Sequence, residues 1–282
     1  MRFLATLLFW LITTALLALA VPASWAQHTV VSEDGFAGLA ATAAKNPQLQ
    51  QAMAAELEKQ IIDLGAKNGY DLKNTDLVRG VTDAYTANAG FPGQFAQANR
   101  IAHRWMFTDS IQHDKGDRWL VDIAPMLKDE SLRQTLGNLN LEVPDTLTVP
   151  ITVPETSPMR PGQLTVLSTW GPWASIGVCV LTGVFALLTL AAARSRGKAL
   201  AALGVSALLV GAAGWAGLEM GRPRIDDALN RTTGNIRQVA GVMVDSAEAS
   251  LHQWLNLTLA AGLGLVVIGI VVSLLGSLAR SQ

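Results

Sequence analysis

The sequence predicts a mainly α membrane protein with four transmembrane helices, the first either a retained anchor or a cleaved signal, and an extracytoplasmic helical domain carrying a small β ribbon. Three observations predict it. All 22 acidic side chains lie between Glu33 and Glu155 or between Glu219 and Glu248. Arg2, Arg194, Arg196, Lys198 and Arg280 instead flank long uncharged apolar runs. Those runs, Phe3 to Pro22, Trp173 to Ala193, Ala199 to Leu218 and Leu255 to Leu278, are each close to the ~20 helical residues that cross a ~30 Å hydrocarbon core.

Basic residues beside membrane segments stay cytoplasmic. Both termini and the Arg194 to Lys198 turn are therefore expected inside, in a multi-pass protein of the plasma membrane. The chain is 50% hydrophobic, too apolar for an ordinary soluble domain, yet its charges concentrate in the stretches expected outside. Between Gln27 and Thr169 there are 12 Lys and Arg against 17 Asp and Glu. That acidic balance argues against nucleic acid, which selects a cationic surface. The one cysteine, Cys179, falls in a membrane run, so the exported part has no disulfide and must be stabilised by an apolar core.

At the N-terminus, Arg2, an apolar run and Ser24-Trp25-Ala26 fit a secretory signal cut after Ala26. The run is longer than an ordinary signal core, and Trp25 fits equally an interfacial anchor on a retained helix. Residues 1–26 are thus an anchor or a signal, and residues 27–153 form the external domain. Asn46-Pro47 supplies an N-cap and a proline in the first helical turn. Leu49, Met53, Leu57, Ile61 and Leu64 then share one face until Gly65, which is expected to stop the helix. A second helix starts near Asn74, and a third at Pro92 with Phe95, Ala98, Ala102 and Trp105 on one face. Phe36 to Ala44 is a short Ala-rich helix. Trp119 to Ile123 has strand composition, and Thr146 to Val153, interrupted by Pro150, suits an edge strand paired with it. Residues 154–169 read as a Pro/Ser linker, and residues 170–279 as three transmembrane helices.

Small residues line two of those helices: Gly262, Gly269 and Gly276 with Ser273 on the last, and Gly204, Ala207, Gly211 and Gly214 on the one before. Such stripes let backbones approach closely in lipid, between the two helices or against another protein. Residues 221–254 leave and return to one membrane face. Their stripe of Ile225, Leu229, Thr232, Ile236, Val239 and Met243 predicts an external helix, bent near Gly234, that packs on the external domain, at the headgroups or on a partner.

Chemistry is harder to find. Asp109, His113, Asp114 and Asp117 cluster without the spacing of a calcium loop or the further ligands a zinc site needs, and read as a solvated turn. Asn99, Arg100, His103, Arg104 and Trp105 make a second polar knot. On a helix Asn99 and His103 share a face, which suits a buried pair answering backbone groups of the Trp119 strand; Asp122 is the one carboxylate available to a catalytic His103. No nucleophile elbow, phosphate loop or zinc helix occurs, and the membrane runs hold no Asp, Glu, Lys, Arg or His to line an ion path.

The segments Phe91-Pro92-Gly93-Gln94-Phe95, Asn99-Arg100-Ile101-Ala102-His103, Leu120-Val121-Asp122-Ile123-Ala124-Pro125-Met126-Leu127 and Val149 to Val153 resemble uncharacterised actinobacterial integral membrane proteins. The resemblance implies an N-terminal anchor, an extracytoplasmic helical domain and C-terminal membrane helices, and it implies no activity. The expectation is a non-enzymatic accessory or scaffold protein of the bacterial envelope, without cofactor or metal. Its partners would be the lipid bilayer and either a membrane protein or a second copy. An envelope sensor that binds a lipid or small ligand, and an enzyme using His103 and Asp122, are the alternatives.

Overall fold

The computed structural model describes residues 2–67, 75–107, 119–122, 145, 148–151, 164–230 and 234–278. In chain order these form α1 (Arg2–Ala26), a π-helical turn (Gln27–Val31), α2 (Glu33–Ala43), α3 (Pro47–Lys67), α4 (Thr75–Thr86), α5 (Phe91–Phe107), β1 (Trp119–Asp122), β2 (Thr148–Ile151), α6 (Thr165–Ala192), α7 (Arg196–Leu229) and α8 (Gly234–Leu278). Four helical stretches are long and apolar enough to cross a membrane: Phe3–Val31, Thr165–Ala192, Arg196–Leu229 and Gly234–Gly276. This is a multi-span helical membrane protein.

The fold class needs one correction. The protein is mainly α, and a β ribbon is not among the elements that build the domain's described core, which is helical throughout. β1 and β2 do pair antiparallel, Trp119 opposite Ile151 and Asp122 opposite Thr148. Four residues a side make no structural layer, however: an isolated two-stranded pair is marginal in water, and Pro150 brings no N–H to the ladder. The β-branched composition of Thr146 to Val153 suggested a small β ribbon as a feature of the domain, whereas the described core is built by helix packing.

Cα packing divides the chain into two compact units. One comprises Thr29–Ser168 and Arg224–Ala247, the other Met1–His28, Thr169–Pro223 and Glu248–Gln282.

In the first unit, α2 packs on α5 and α3 on α4. Ser32 caps α2, its Oγ accepting from Gly35 N at 2.9 Å, and Asn46 Oδ1 accepts from Gln48 N at 2.9 Å where α3 begins. These caps satisfy donors that the first helical turn leaves open. Leu49, Met53, Leu57 and Ile61 are buried along one face of α3 against Val78 and Tyr85 of α4 and Phe91 and Phe95 of α5. Gly65 does not stop α3, which continues to Lys67; a helix tolerates an interior glycine at a cost of about 1 kcal/mol relative to alanine. The stretch expected as an external helix bent near Gly234 is formed by the continuation of α7 and the beginning of α8. They are divided after Asn230, and Gly234 takes the left-handed φ of +70° that a glycine adopts without steric cost. Val242 is buried in the domain core, with Val239 and Met243 packed on it, so this part of the stripe meets the protein's own domain.

In the second unit α7 is central, burying Leu203, Gly204, Ser206, Ala207, Val210 and Gly211. α1 joins it through side-chain polar contacts: Trp10 Nε1–H donates to the Ala202 carbonyl at 2.8 Å, and the hydroxyls of Thr14 and Ser206 lie 2.7 Å apart. Ser24 Oγ lies 3.2 Å from Cys179 Sγ on α6, and Trp25 Nε1–H donates to Ser250 Oγ on α8 at 3.2 Å.

Leu57 is fully buried, so Leu57→Ala should cost the domain about 2–5 kcal/mol, by lost transfer energy and the cavity left behind. Val242→Ala should also destabilise it, by less, whereas Asp63→Asn on the exposed side of α3 should be silent. Thermal unfolding of the three full-length variants checks this; a silent Val242→Ala would detach the hairpin from the core.

Candidate functional site

The polar knot of α5 is a clasp on the chain between α1 and α2. There the π turn ends, Ser32 breaks the helix, and the last carbonyls are left without intrahelical donors. His103 Nε2 lies 3.0 Å from the Val30 carbonyl. A carbonyl only accepts, so Nε2 carries the proton. The ring is buried, stacked on Phe107 at 4.1 Å and 15° and tilted against Phe36 at 5.4 Å. From one turn earlier, at Arg100, and from the next residue, at Arg104, the guanidinium groups reach the first residues of α2. Arg104 donates through two nitrogens to Glu33 Oε1 at 3.0 and 2.8 Å, and Arg100 donates to Asp34 and lies 3.7 Å from Glu33.

The electrostatics follow. The Arg104 hydrogen bond holds the Glu33 carboxyl below the usual carboxylate range, while burial pushes the His103 imidazole below its usual value against the opposing pull of the Val30 bond and Glu33. The clasp thus holds a neutral histidine beside an ionised, partly exposed ion-pair network. Exposed pairs of this kind contribute little individually, so the buried imidazole is the stronger tie.

These positions differ from the expectation in two respects. His103 answers the Val30 carbonyl instead of the Trp119 strand, and Asn99 donates to Phe95 O on its own helix at 2.9 Å instead of pairing with the histidine. Asp122 ends β1 opposite Thr148; the carboxylate that acts on the His103 ring among the described residues is Glu33. Trp105 lies in the last turns of α5, its side chain outside the described residues, as are Asp109, His113, Asp114 and Asp117. Among the described residues no group of three metal-ligating side chains converges. Glu33 and Asp34 went unnoticed in the sequence, although an acidic pair opening a helix is the natural complement of Arg100 and Arg104 at i,i+4 spacing.

The second constellation is the small-residue stripe. α7 and α8 meet along it. A Cβ on Gly204 would fall 2.6 Å from Gly262 O and Val266 N, and one on Gly262 would fall 2.8 Å from Gly204 O. A Cβ on Gly269 would lie 2.4 Å from Ala201 N, and one on Gly197, which the stripe had not included, 2.5 Å from Ser273 N. Gly211 abuts Leu259, and Gly276 is partly buried one heptad beyond Gly269. The backbones touch at heptad intervals, so the stripe is used up between two helices of the same chain.

Comparison with protein families, curated proteins and solved structures found no match.

Two outcomes follow. Gly204→Ala or Gly269→Leu should lower the detergent melting temperature and broaden the size-exclusion peak, because the added atoms meet backbone that cannot yield. Ile270→Leu, on the exposed side of α8, should change neither.

For the clasp, the folded His103 titrates below the unfolded value near 6.5, so between those two values the unfolded chain binds more protons and stability rises with pH. Its contribution is intact above about pH 6.5 and declines below it. Glu33, also depressed, loses its contribution further down, as pH falls through its folded value. His103→Phe should remove the first decline from a plot of unfolding free energy against pH, while lowering the plateau by about 1–3 kcal/mol for the orphaned Val30 carbonyl.

Proposed function

We propose that this is a non-enzymatic accessory or scaffold protein of the bacterial cell envelope, whose extracytoplasmic helical domain docks on a partner membrane complex. The observation that carries this reading is the occupancy of the clasp. His103, the side chain best suited to proton transfer, is buried between two aromatic rings with its Nε2 proton donated to a backbone carbonyl. Arg100 and Arg104 are engaged by Asp34 and Glu33. A general base needs a reachable substrate proton, and this imidazole is committed to structure. The glycine stripe is likewise committed, to α7 and α8, which leaves the helical domain as the surface to meet a partner. The alternative of a sensor or ligand-binding module keeps the same topology.

The contacts of α1 with α7 support α1 as a retained helix: cleavage after Ala26 would strip Trp10 from the Ala202 carbonyl and Thr14 from Ser206 in a solvent that offers no replacement donor. The intact mass of the protein purified from membranes should include residues before Gln27. In a Cys179→Ser background, Asn230→Cys should label from outside intact cells and Ser195→Cys only after permeabilisation, as the basic turn after α6 demands. Native mass spectrometry after crosslinking in the source membrane should show a defined complex; a strictly monomeric protein with no bound subunit would sink the scaffold reading.

A further inference from the structure

Each of the four apolar membrane runs has a tryptophan at or beside the end remote from the cations of the basic side, Arg2, Arg194, Arg196, Lys198 and Arg280. Trp25 closes α1, Trp170 and Trp173 open α6, Trp215 is late in α7, and Trp254 precedes the apolar run of α8. At 1.5 Å per residue, Trp173 stands about 29 Å from Ala192 at the foot of α6, close to a hydrocarbon thickness of about 30 Å. Trp215 lies about 26 Å from Lys198, and Trp25 about 35 Å from Arg2, by the same rise.

The five rings are not equivalent. Trp25 and Trp215 spend their indole N–H groups on side chains of α8, Ser250 and Asn256. Trp215 is also stacked on His252 at 3.8 Å. Trp170 and Trp173, three residues apart and so on one face of α6, are instead 66% and 73% exposed. That face continues down the helix as exposed Ile176, Val180, Val184 and Leu187, an apolar surface that belongs to lipid. α6 is also too long to fit the core: its 28 residues span about 42 Å. Arg194 follows immediately on the basic side, so the surplus of about eight residues falls at the tryptophan end, from Thr165 to Pro172.

We infer that Trp170 and Trp173 anchor this protein in the headgroup layer of the leaflet opposite the basic turn, fixing the depth of the bundle. An indole suits that layer because its ring is apolar and its N–H can reach water, phosphate or ester oxygen. The occupant of this face is therefore the lipid surface and not a protein helix. The inference does not depend on the scaffold reading, since it concerns the purified chain in lipid alone.

The test uses the full chain in phosphatidylcholine vesicles with bromines near the headgroups or near the bilayer centre. Emission lost on Trp170→Phe, on Trp173→Phe and on the double substitution isolates the two rings from the rest. Phenylalanine retains the apolar bulk, and circular dichroism confirms folding in each case. The expected result is that this difference emission is quenched more strongly by shallow bromines than by deep ones. Stronger quenching by deep bromines would overturn the inference by placing both rings in the core. Quenching by neither would overturn it too, since protein would then cover them, and a smaller particle for the double variant would identify a second copy as the cover.

Discussion

In lipid, apolar side chains gain almost nothing by leaving the solvent, so a helix pair must be held by contact itself. In this protein that contact is backbone against backbone, along the line where Gly197, Gly204 and Gly211 of α7 face Gly262, Gly269 and Leu259 of α8. The heptad spacing on both helices keeps the line straight over several turns, where an isolated glycine would give a single touching point. Once α7 and α8 are fixed in this way, Ala202 O and Ser206 on another face of α7 become the fixed partners to which α1 presents Trp10 and Thr14. The hydrogen bonds specify; the seam gives them something rigid to specify against.

The helical domain uses a different physics. There water supplies the driving force, and the buried faces of α3, α4 and α5 close around Leu57, Tyr85 and Phe91. One polar device remains necessary, because the chain enters the domain through a π turn whose carbonyls are not all satisfied by their own helix. His103 answers one of them from 73 residues away, and the flanking arginines place complementary charge at the start of α2, where acidic residues also suit the helix dipole. The Asn-Arg-x-x-His pattern therefore reads as a fastening of the domain's entrance.

Much of this was legible from residue order, for identifiable reasons. Helices announced themselves where a cap and a periodic face coincide, as at Asn46-Pro47 followed by Leu49, Met53, Leu57 and Ile61. The seam was legible because glycine at seven-residue intervals in an apolar run has few other uses. What resisted reading was non-local. Nothing near His103 points to Val30, and Asp122 drew attention because the Trp119 strand that carries it was expected to lie against the histidine. The ribbon was overread because β-branched composition says that a strand can form, without saying that anything depends on it. The bend near Gly234 was legible from the glycine and the polar residues around it, but composition does not show that α7 and α8 run on into it, since a helix crosses a hydropathy boundary without interruption when its backbone bonds are all internal.

The seam also has a consequence for inheritance. Every amino acid that a single nucleotide change can substitute for glycine is larger, and the smallest of them, alanine, already adds the Cβ that would fall 2.4 to 2.8 Å from neighbouring atoms at Gly197, Gly204, Gly211, Gly262 and Gly269. No one-step neighbour in the genetic code is sterically silent at Gly197, Gly204, Gly262 or Gly269, where the close atoms are backbone. The apolar residues around them exchange freely for one another in lipid. Variation in the membrane half should therefore be partitioned sharply, with permissive codons on the lipid face and a row of intolerant ones along a single line, and relatives that depart from glycine there should carry a compensating change on the facing helix.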